Sequence, residues 1–457
     1  DNNSNSANKP GRRDIEYPSS IATRKVTGMG SAATDSCVHC GFCLPTCASY
    51  RVFGTEMDSP RGRIHALKAI GNGELALDQQ VAAHFDTCLG CLACVSACPS
   101  GVRYDELLEA TRPKLNAPEL RSPWQRSFRK LLFSLLPYPN RLRPLLSLLR
   151  SYSGSGLQSW VRRNRLLRVL GPELEAMDRL LPELPKTSEA APFPSVVAAQ
   201  GPKRGRVALV LGCVQRVFDP DVNQATVAVL SANGFEVVIP EQQGCCGAAT
   251  HHQGELEQTK TLARDLIQAF KTSEPVDAVL IAASGCGHTL KQYGQILAGE
   301  AQASFDAPVK DVHEFLSEVG LAPSFKKQLT PLAHADGSPA SAERPLAVAF
   351  HDACHMIHGQ GIKAQPRQLL KAIPHLALKE ALDAGVCCGS AGIYNLVQPE
   401  AAAELGRMKV TDLAGTGASL AASSNIGCTL QLRQHAPATL EVLHPMQLLS
   451  RSFRASP

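Results

Sequence analysis

The stretch CVHCGFCLPTC at residues 37–47 decides how the first part of this chain folds, because it recurs as CLGCLACVSAC at residues 88–98. Both runs follow the pattern C-x2-C-x2-C-x3-C, and each cysteine of the second run lies 51 residues after its counterpart. Three thiols in one short loop with a fourth just beyond are the spacing with which proteins hold [4Fe–4S] clusters. The runs therefore predict two metal-binding loops in one duplicated domain.

The eight cysteines of these runs predict two clusters that exchange one ligand. In two-cluster ferredoxins the fourth cysteine of each run ligates the other cluster. The first [4Fe–4S] cluster is therefore predicted to take Cys37, Cys40, Cys43 and Cys98. The second is predicted to take Cys88, Cys91, Cys94 and Cys47. Zinc is the alternative metal, but zinc sites use cysteines in pairs, whereas each run supplies three thiols and a fourth.

Two glycines and two arginines beside the runs have predicted supporting roles. Gly41 and Gly90 lack a Cβ where backbone amides must approach cluster sulfur. Arg61 and Arg63 lie between the runs, where their charge raises a cluster potential or where they form a solvated turn. Helical spacing across 63–70 and 79–85 predicts a mainly α-helical domain.

The other eight of the sixteen cysteines form a second duplication, displaced by 141 or 142 residues. The first repeat contains Cys213, Cys245, Cys246 and Cys286, and the second contains Cys354, Cys387, Cys388 and Cys428. Short apolar strands alternate with helical patterns in both, which places the cysteines at carboxyl ends of strands, where α/β folds bind ligands. Each repeat therefore predicts a further iron–sulfur or redox-active thiol site. The alternative is that these thiols only pack as small hydrophobic groups.

Six histidines lie near these cysteines in the sequence and have two possible roles. They could relay protons or bind metal, or they could hold loops by hydrogen bonds. The six are His251, His252, His288, His351, His355 and His358.

The chain as a whole predicts an α+β multidomain protein, in which an α-helical two-cluster domain precedes duplicated α/β subdomains. The expected segments are a disordered tail at 1–34, the ferredoxin-type domain at 35–112, a basic helical connector and linker at 113–203, and repeats at 204–340 and 341–457. Prolines at 137, 139 and 144 are expected to break the connector helices, and those at 182–194 to mark an extended linker.

Charge and hydropathy limit the partners and the cellular location that the sequence allows. The formal charge is +5, yet residues 121–170 hold eleven Arg or Lys and no Asp or Glu, and no nucleic-acid-reading module is present. Within this segment, apolar side chains among the arginines predict contact with anionic lipid or with an acidic partner: Trp124, Phe128, Leu131, Leu132 and Phe133. A solvated face is the alternative. No apolar run approaches the roughly 20 residues that span a bilayer, and no secretory signal is visible. We expect a cytoplasmic protein, or one on the cytoplasmic face of a membrane.

The cysteine repeats resemble the cysteine-rich (CCG) domains of heterodisulfide reductase, and residues 35–450 as a whole resemble the iron–sulfur subunit of bacterial glycolate oxidase. The strings that carry this resemblance include PRGR at 60–63, CPSGVRY at 98–104, ASGCG at 283–287, CCGSAG at 387–392 and NIGC at 425–428. One departure is that Thr289 and Gln431 stand where the reductase pattern has a fifth thiolate in each repeat. That departure speaks against the noncubane double cluster of the reductase, although four cysteines can still hold one ordinary cluster, in one repeat or in both.

The resemblance implies an electron-transfer subunit of an oxidoreductase complex. A partner flavoprotein would oxidise glycolate to glyoxylate, and this chain, which shows no flavin or dinucleotide motif and no catalytic residue of its own, would pass electrons to a quinone-type acceptor. Two alternatives are a partner that oxidises lactate or glycerol 3-phosphate, and an iron–sulfur redox sensor whose clusters assemble and dissolve.

Overall fold

The structure is a computed structural model that describes residues 34–170, 174–175, 178, 193–271 and 274–453. The predicted tail at 1–34, apart from its last residue, and most of the predicted linker at 182–194 lie outside the described residues. Within these ranges an α-helical cysteine-rich domain precedes two α/β units, each built on its own sheet. The predicted α+β class is confirmed.

The ferredoxin-type domain is made of short helices that frame the two cysteine loops. Its helices are α1 (Ala48–Phe53), α2 (Pro60–Asn72), α3 (Gln79–Asp86), α4 (Ala93–Ser96) and α5 (Tyr104–Leu115). The Ser59 hydroxyl caps α2 by accepting from the Gly62 amide at 3.1 Å, and Asp78 caps α3 in the same way. The helices predicted at 63–70 and 79–85 are therefore present.

Four helices form the connector, and one proline behaves differently from the prediction. They are α6 (Pro123–Leu135), α7 (Pro139–Gly154), α8 (Leu157–Arg163) and α9 (Leu166–Leu170). Pro137 separates α6 from α7, and Pro139 occupies the first turn of α7, where a proline is tolerated. The prediction that Pro144 breaks the helix is wrong, because it lies inside α7. A proline at this position removes the hydrogen bond to the residue four positions earlier and crowds that carbonyl, but α7 nevertheless continues to Gly154.

The first repeat contains a five-stranded sheet of order β1-β3-β2-β4-β5. Its strands are β1 (Val196–Val197), β2 (Gly205–Val210), β3 (Phe235–Val238), β4 (Ala278–Ile281) and β5 (Val309–Asp311). Its helices are α10 (Gln215–Phe218), α11 (Pro220–Ala232), α12 (Ala248–His252), α13 (Leu256–Ala269), α14 (Ser284–Lys291), α15 (Tyr293–Ile296), α16 (Val312–Val319) and α17 (Pro323–Lys327). Only the short β1 pairs antiparallel with its neighbour.

The second repeat has the parallel order β7-β6-β8-β9, so that β6 corresponds to β2 and β8 to β4. Its strands are β6 (Leu346–His351), β7 (Leu376–Glu380), β8 (Leu420–Ser423) and β9 (Glu441–Leu443). Its helices are α18 (Cys354–Gln360), α19 (Ala364–Leu370), α20 (Tyr394–Val397), α21 (Pro399–Ala414), α22 (Ile426–His435) and α23 (Pro445–Ser452).

The two repeats pack against each other by exchanging helices crosswise. The first long helix of the first repeat, α11, packs on the last helix of the second, α23, and α16 packs on α19 in the mirror arrangement. One apolar core therefore contains side chains of both repeats, such as Val222 and Leu448. Both sheets thereby present the carboxyl ends of their strands, and the cysteines that follow them, to one shared cavity.

Candidate metal centres

The backbone of both ferredoxin-type loops is bent in the same two places. Residues 39 and 41 of the first run and residues 90 and 92 of the second have φ between 53° and 85°. Each run has one glycine among these left-handed positions and one bulkier residue, His39 or Leu92. Successive N–H groups in such turns form a nest that binds anions. The loops thus fit the anionic cluster that the cysteine spacing predicts.

The glycines of these loops face arginine side chains. A Cβ at Gly90 would lie 2.7 Å from a guanidinium nitrogen of Arg112, and one at Gly41 would lie 3.0 Å from Arg61. The absence of a Cβ at these two glycines thus leaves room for an arginine side chain beside each loop, in addition to the room predicted for cluster sulfur.

The structure brings together the four cysteines predicted for each of the two clusters. A void of about 30 Å³ is lined by Cys37, Cys40, Cys43 and Cys98, together with Cys94 of the neighbouring site. Cys94 in turn interacts electrostatically with Cys91, Cys88 and Cys47. The first site is the outer one, because Cys40 is exposed whereas Cys47 and Cys91 are buried.

The buried Arg63 and the half-buried Arg112 give the second ferredoxin-type site a positive surrounding. Burial raises the pKa of Cys88, but Arg63 and Arg112 outweigh that effect and the net shift is downward. Arg63 is 1% exposed and donates to the Thr87 hydroxyl at 2.7 Å and the His84 carbonyl at 2.6 Å. Arg63 therefore has the buried position that a charge effect on a cluster requires. Arg61 pairs with Glu56 at the surface.

In the first α/β repeat the four cysteines converge in a buried group. The Sγ atoms of Cys213 and Cys245 lie 3.2 Å apart, and Cys246 links Cys245 to Cys286 through side-chain contacts. The hydrogen bond to Cys245, together with burial, raises the pKa of Cys213 well above its usual value. These thiols need a metal or another cation to become thiolates here.

The second repeat brings its four cysteines together in the same way but places polar groups beside them. The hydrogen bonds from Cys387 and then from Cys428 lower the pKa of Cys388 well below its usual value, and the nearby His351 adds to this effect. The Asn425 amide lies 3.4 Å from Cys428 Sγ and can donate to it. The same contacts raise the pKa values of Cys387 and Cys428, so Cys388 is the thiol of this group that most readily carries negative charge.

The residues at the fifth position of each repeat are engaged elsewhere. The Thr289 hydroxyl donates to the Gly285 carbonyl of its own helix. The Gln431 amide donates to the Ala402 carbonyl at 2.9 Å and accepts from Asn395 at 3.1 Å. Neither side chain therefore takes the place of a fifth thiolate.

Two of the six histidines fasten the ferredoxin-type domain to the second repeat. His355 Nε2 lies 2.9 Å from the Gly90 carbonyl, and His358 Nδ1 lies 2.8 Å from the Ser96 hydroxyl. Burial lowers the pKa of His355 to about 4, which keeps it neutral near pH 7. These histidines match the loop-holding interpretation.

The second ferredoxin-type site and the second repeat share one buried apolar cluster. Leu89 and Cys91 pack there with Cys387 and Tyr394. Electrostatic coupling also joins the Cys91 thiol to that of Cys354. No feature of the sequence predicts this contact, because nothing in the spacing of the runs relates residue 91 to residue 387.

A cavity of about 330 Å³ lies among the two cysteine repeats, the second ferredoxin-type loop and the connector. Cysteines of both repeats line it, among them Cys213 and Cys354, and so do His251, His252, His288 and His355. Leucines of α6, of α7 and of the turn between them, such as Leu136 and Leu149, form an apolar wall. Pockets of this size and character accommodate small organic ligands.

The connector contradicts part of the lipid-contact prediction. Phe128, Leu132 and Phe133 are at most 4% exposed and pack on Ile393 of the second repeat and its neighbours, so they do not face lipid. Trp124 and Leu131 are 47% and 49% exposed. Among helices in the described ranges, none combines the length and apolar character needed to cross a bilayer.

Three family models match separate parts of the chain. The 4Fe-4S dicluster domain matches residues 33–102, and the cysteine-rich domain matches 207–291 and 348–433. The connector matches the linker region of the glycolate oxidase iron–sulfur subunit at residues 124–181.

Curated relatives match most of the chain. A probable glycolate oxidase iron–sulfur subunit of Bacillus subtilis is 38% identical over 87% of this chain and 88% of its own length. The glycolate oxidase iron–sulfur subunit of Escherichia coli is 33% identical over 87% of this chain and 89% of its own. Lactate utilization protein A 1 of Bacillus mycoides is 27% identical over 54% of this chain and 96% of its own.

Proposed function

This chain belongs to the family of glycolate oxidase iron–sulfur subunits, and we propose that it carries electrons from a flavoprotein partner that oxidises glycolate to glyoxylate. The two ferredoxin-type sites, with the ligand sets given above, would hold [4Fe–4S] clusters, and each cysteine repeat would hold one further iron–sulfur group. Such groups supply one-electron transfer, with potentials set by charge, burial and hydrogen bonds to sulfur. The acceptor would be a quinone-type molecule, and the complex would lie in the cytoplasm or on the cytoplasmic face of a membrane.

One observation carries this proposal above the others: the cysteine groups either pack together or border one cavity, rather than being scattered. The second ferredoxin-type loop and the second repeat share a buried core at Cys91 and Cys387, and His355 binds the loop directly. Both repeats in turn line one cavity. A chain built for storage or for zinc-based stability has no need of such a continuous arrangement.

The flavoprotein is proposed to dock beside the first ferredoxin-type loop. Cys40 is exposed there, and Val38 and Phe42 beside it are each 67% exposed. Exposed apolar side chains grouped around a functional loop mark interaction surfaces. The second ferredoxin-type site also separates this loop from the second repeat, so the loop lies at the opposite end of the series of cysteine groups.

The quinone-type acceptor is proposed to bind in the cavity between the repeats. Its leucine wall suits an apolar ring or tail, and the cysteine groups of both repeats border the same space. A substitution on this wall, Leu136→Gln with Leu148→Gln on the exposed side of the connector as control, should raise the KM for a soluble quinone analogue.

The remaining connector surface is proposed to contact a membrane or an acidic partner. Half of the large apolar side chains exposed in the described ranges lie within 121–170, a segment with eleven basic residues and no acidic ones. Apolar groups among cations are the composition of interfacial segments. Replacing Trp160 and Leu157 by serine should weaken binding to vesicles of anionic lipid, and unchanged binding would exclude the lipid contact.

The whole proposal is tested by anaerobic reconstitution with the flavoprotein partner. Glycolate should reduce a soluble quinone analogue only when both chains are present, and lactate and glycerol 3-phosphate are the comparison substrates. Lactate deserves inclusion because lactate utilization proteins are among the relatives. Metal analysis should give about eight irons for the ferredoxin-type sites alone and more when the repeats are loaded. Clusters that dissolve in air and show no glycolate-dependent reduction would favour the redox sensor instead.

A further inference from the structure

The two repeats carry different residues at one equivalent position beneath the cysteine pair. Val210 ends β2 and pairs with Ile281 of β4, and His351 ends β6 and pairs with Ser423 of β8. The offsets of 141 and 142 residues are those of the cysteines themselves. His351 therefore occupies in the second repeat the place that Val210 occupies in the first.

The neighbours of this position are apolar in the first repeat and polar in the second. In the first repeat, Val210, Ile281 and Cys246 belong to one apolar core. In the second, His351 is 1% exposed, its partner on the neighbouring strand is the buried Ser423, and the buried Ser424 follows directly after that strand. Such buried polar groups destabilise a core unless they are bound.

His351 has no oxygen or nitrogen partner of its own. Neither of its ring nitrogens makes a hydrogen bond of standard geometry with the described residues. Its ring nitrogen and the Sγ atoms of Cys388 and Cys428 all lie within 4.8 Å of one another. Ligands at about 2.0–2.3 Å from a tetrahedral metal are separated by just under 4 Å, which these three atoms can reach with small shifts.

We infer that His351 is a metal ligand, and that with Cys388 and Cys428 it forms a thiolate–imidazole centre in the second repeat. Thiolate together with imidazole suits iron or zinc among the first-row metals. The first repeat, with Val210 in this place, can offer thiolates only. The inference rests on the proposed function in one respect, namely that the second repeat binds a metal group.

The test compares the full chain with His351→Val and His351→Cys, purified without oxygen. Valine is the residue that the same fold position carries in the first repeat, so the variant is expected to fold. Growth on histidine labelled with ¹⁵N allows pulsed EPR of the reduced protein to detect a nitrogen bound to iron. If the metal is zinc, X-ray absorption at the zinc edge gives the ratio of nitrogen to sulfur ligands.

The parent chain should show a histidine nitrogen coupling or a zinc–nitrogen shell that His351→Val abolishes. The valine variant should also lose its metal to a chelator at least about tenfold faster, since even outer-shell changes cost 10–100-fold in affinity. The cysteine variant should retain the metal, lack the nitrogen signal and, with iron, have a lower potential, because thiolate is more negative than imidazole.

Two results would overturn the inference. One is an unchanged nitrogen signal and metal content in His351→Val. The other is loss of the signal in His355→Gln while His351→Val retains it. A zinc centre bound by His351 would leave this inference standing and would remove the second repeat from the proposed electron path, so the two proposals can fail separately.

Discussion

In the first repeat Cys246 packs with Val210 and Ile281, whereas in the second Cys388 lies beside His351, although the four matching strands have the same order and the two central ones the same register. The neighbours differ as well. The second repeat packs on the ferredoxin-type loop through Cys387, and the first packs its Cys213 group near Tyr138 of the connector. Duplication has thus kept the positions of the thiols while the two copies have been fitted to different surroundings. The repeated motif therefore determines the positions of the cysteine thiols, and the neighbouring residues determine which charge and which metal those thiols can carry.

The largest expected difference between the repeats comes from removing one thiol of each pair. Cys388→Ser should abolish the metal of the second repeat and slow glycolate-driven reduction of the acceptor by about a hundredfold, because this group adjoins the ferredoxin-type site. Cys246→Ser should lower metal content without affecting the second repeat. Iron content and turnover of each variant provide the measurement, and equal losses in both would contradict the distinction.

The contact between the connector and the first repeat depends on the buried side chain of Arg129. Arg129 is 8% exposed and donates to the Gln253 side chain at 2.9 Å, the Gln253 carbonyl and Asn116. Arg129→Ala should lower the free energy of unfolding by about 1.5–3 kcal/mol, the range for hydrogen bonds to charged groups. Denaturant titration measures this, with exposed Arg126→Ala on the same helix as control. A loss as small as that of the control would contradict the role of Arg129.

Asn425 is a further difference between the repeats, because the equivalent residue of the first repeat is Ala283. Its side chain accepts from the Gly285 amide at 3.1 Å and can donate to Cys428 Sγ at 3.4 Å. Asn425→Ala should destabilise the chain by about 1–2 kcal/mol and lower the potential of an iron group in the second repeat, since a hydrogen bond to sulfur is lost. Redox titration followed by EPR tests this. An unchanged potential would show that the amide serves only the backbone of the first repeat.

The smallest expected effect concerns the exposed link between α1 and the second repeat. Arg51 donates to both carboxylate oxygens of Asp383, at 2.7 and 3.0 Å, but both side chains are partly exposed. Arg51→Ala should therefore cost no more than about 1 kcal/mol, and less at high salt. The Arg407–Glu404 pair within α21 is the matched control. A salt-independent loss of several kcal/mol would mean that this ion pair fixes the domain arrangement.

The sequence predicted the thiol groups well because sulfur chemistry depends on spacing along the chain. It could not predict that Cys91 meets Cys387, or that Arg112 lies against Gly90, since these contacts depend on how separate units pack. The connector shows the same limit. The periodicity of Phe128, Leu132 and Phe133 indicates a buried apolar face, but it does not say whether that face meets lipid or the protein itself. His351 could be singled out only after the registers of the two sheets showed that Val210 is its counterpart.

The crosswise packing of helices has a consequence for how the chain is made. Helix α11 begins at residue 220, and its packing partner α23 begins at residue 445, so more than 200 residues are synthesised between them. Until α23 emerges, the apolar face of the first repeat around Val222 remains uncovered. Contacts between such distant segments form slowly and leave partly folded chains prone to aggregation. Assembly of this protein in the cell should therefore depend on chaperones that shield the first repeat, and on metal insertion that awaits the second.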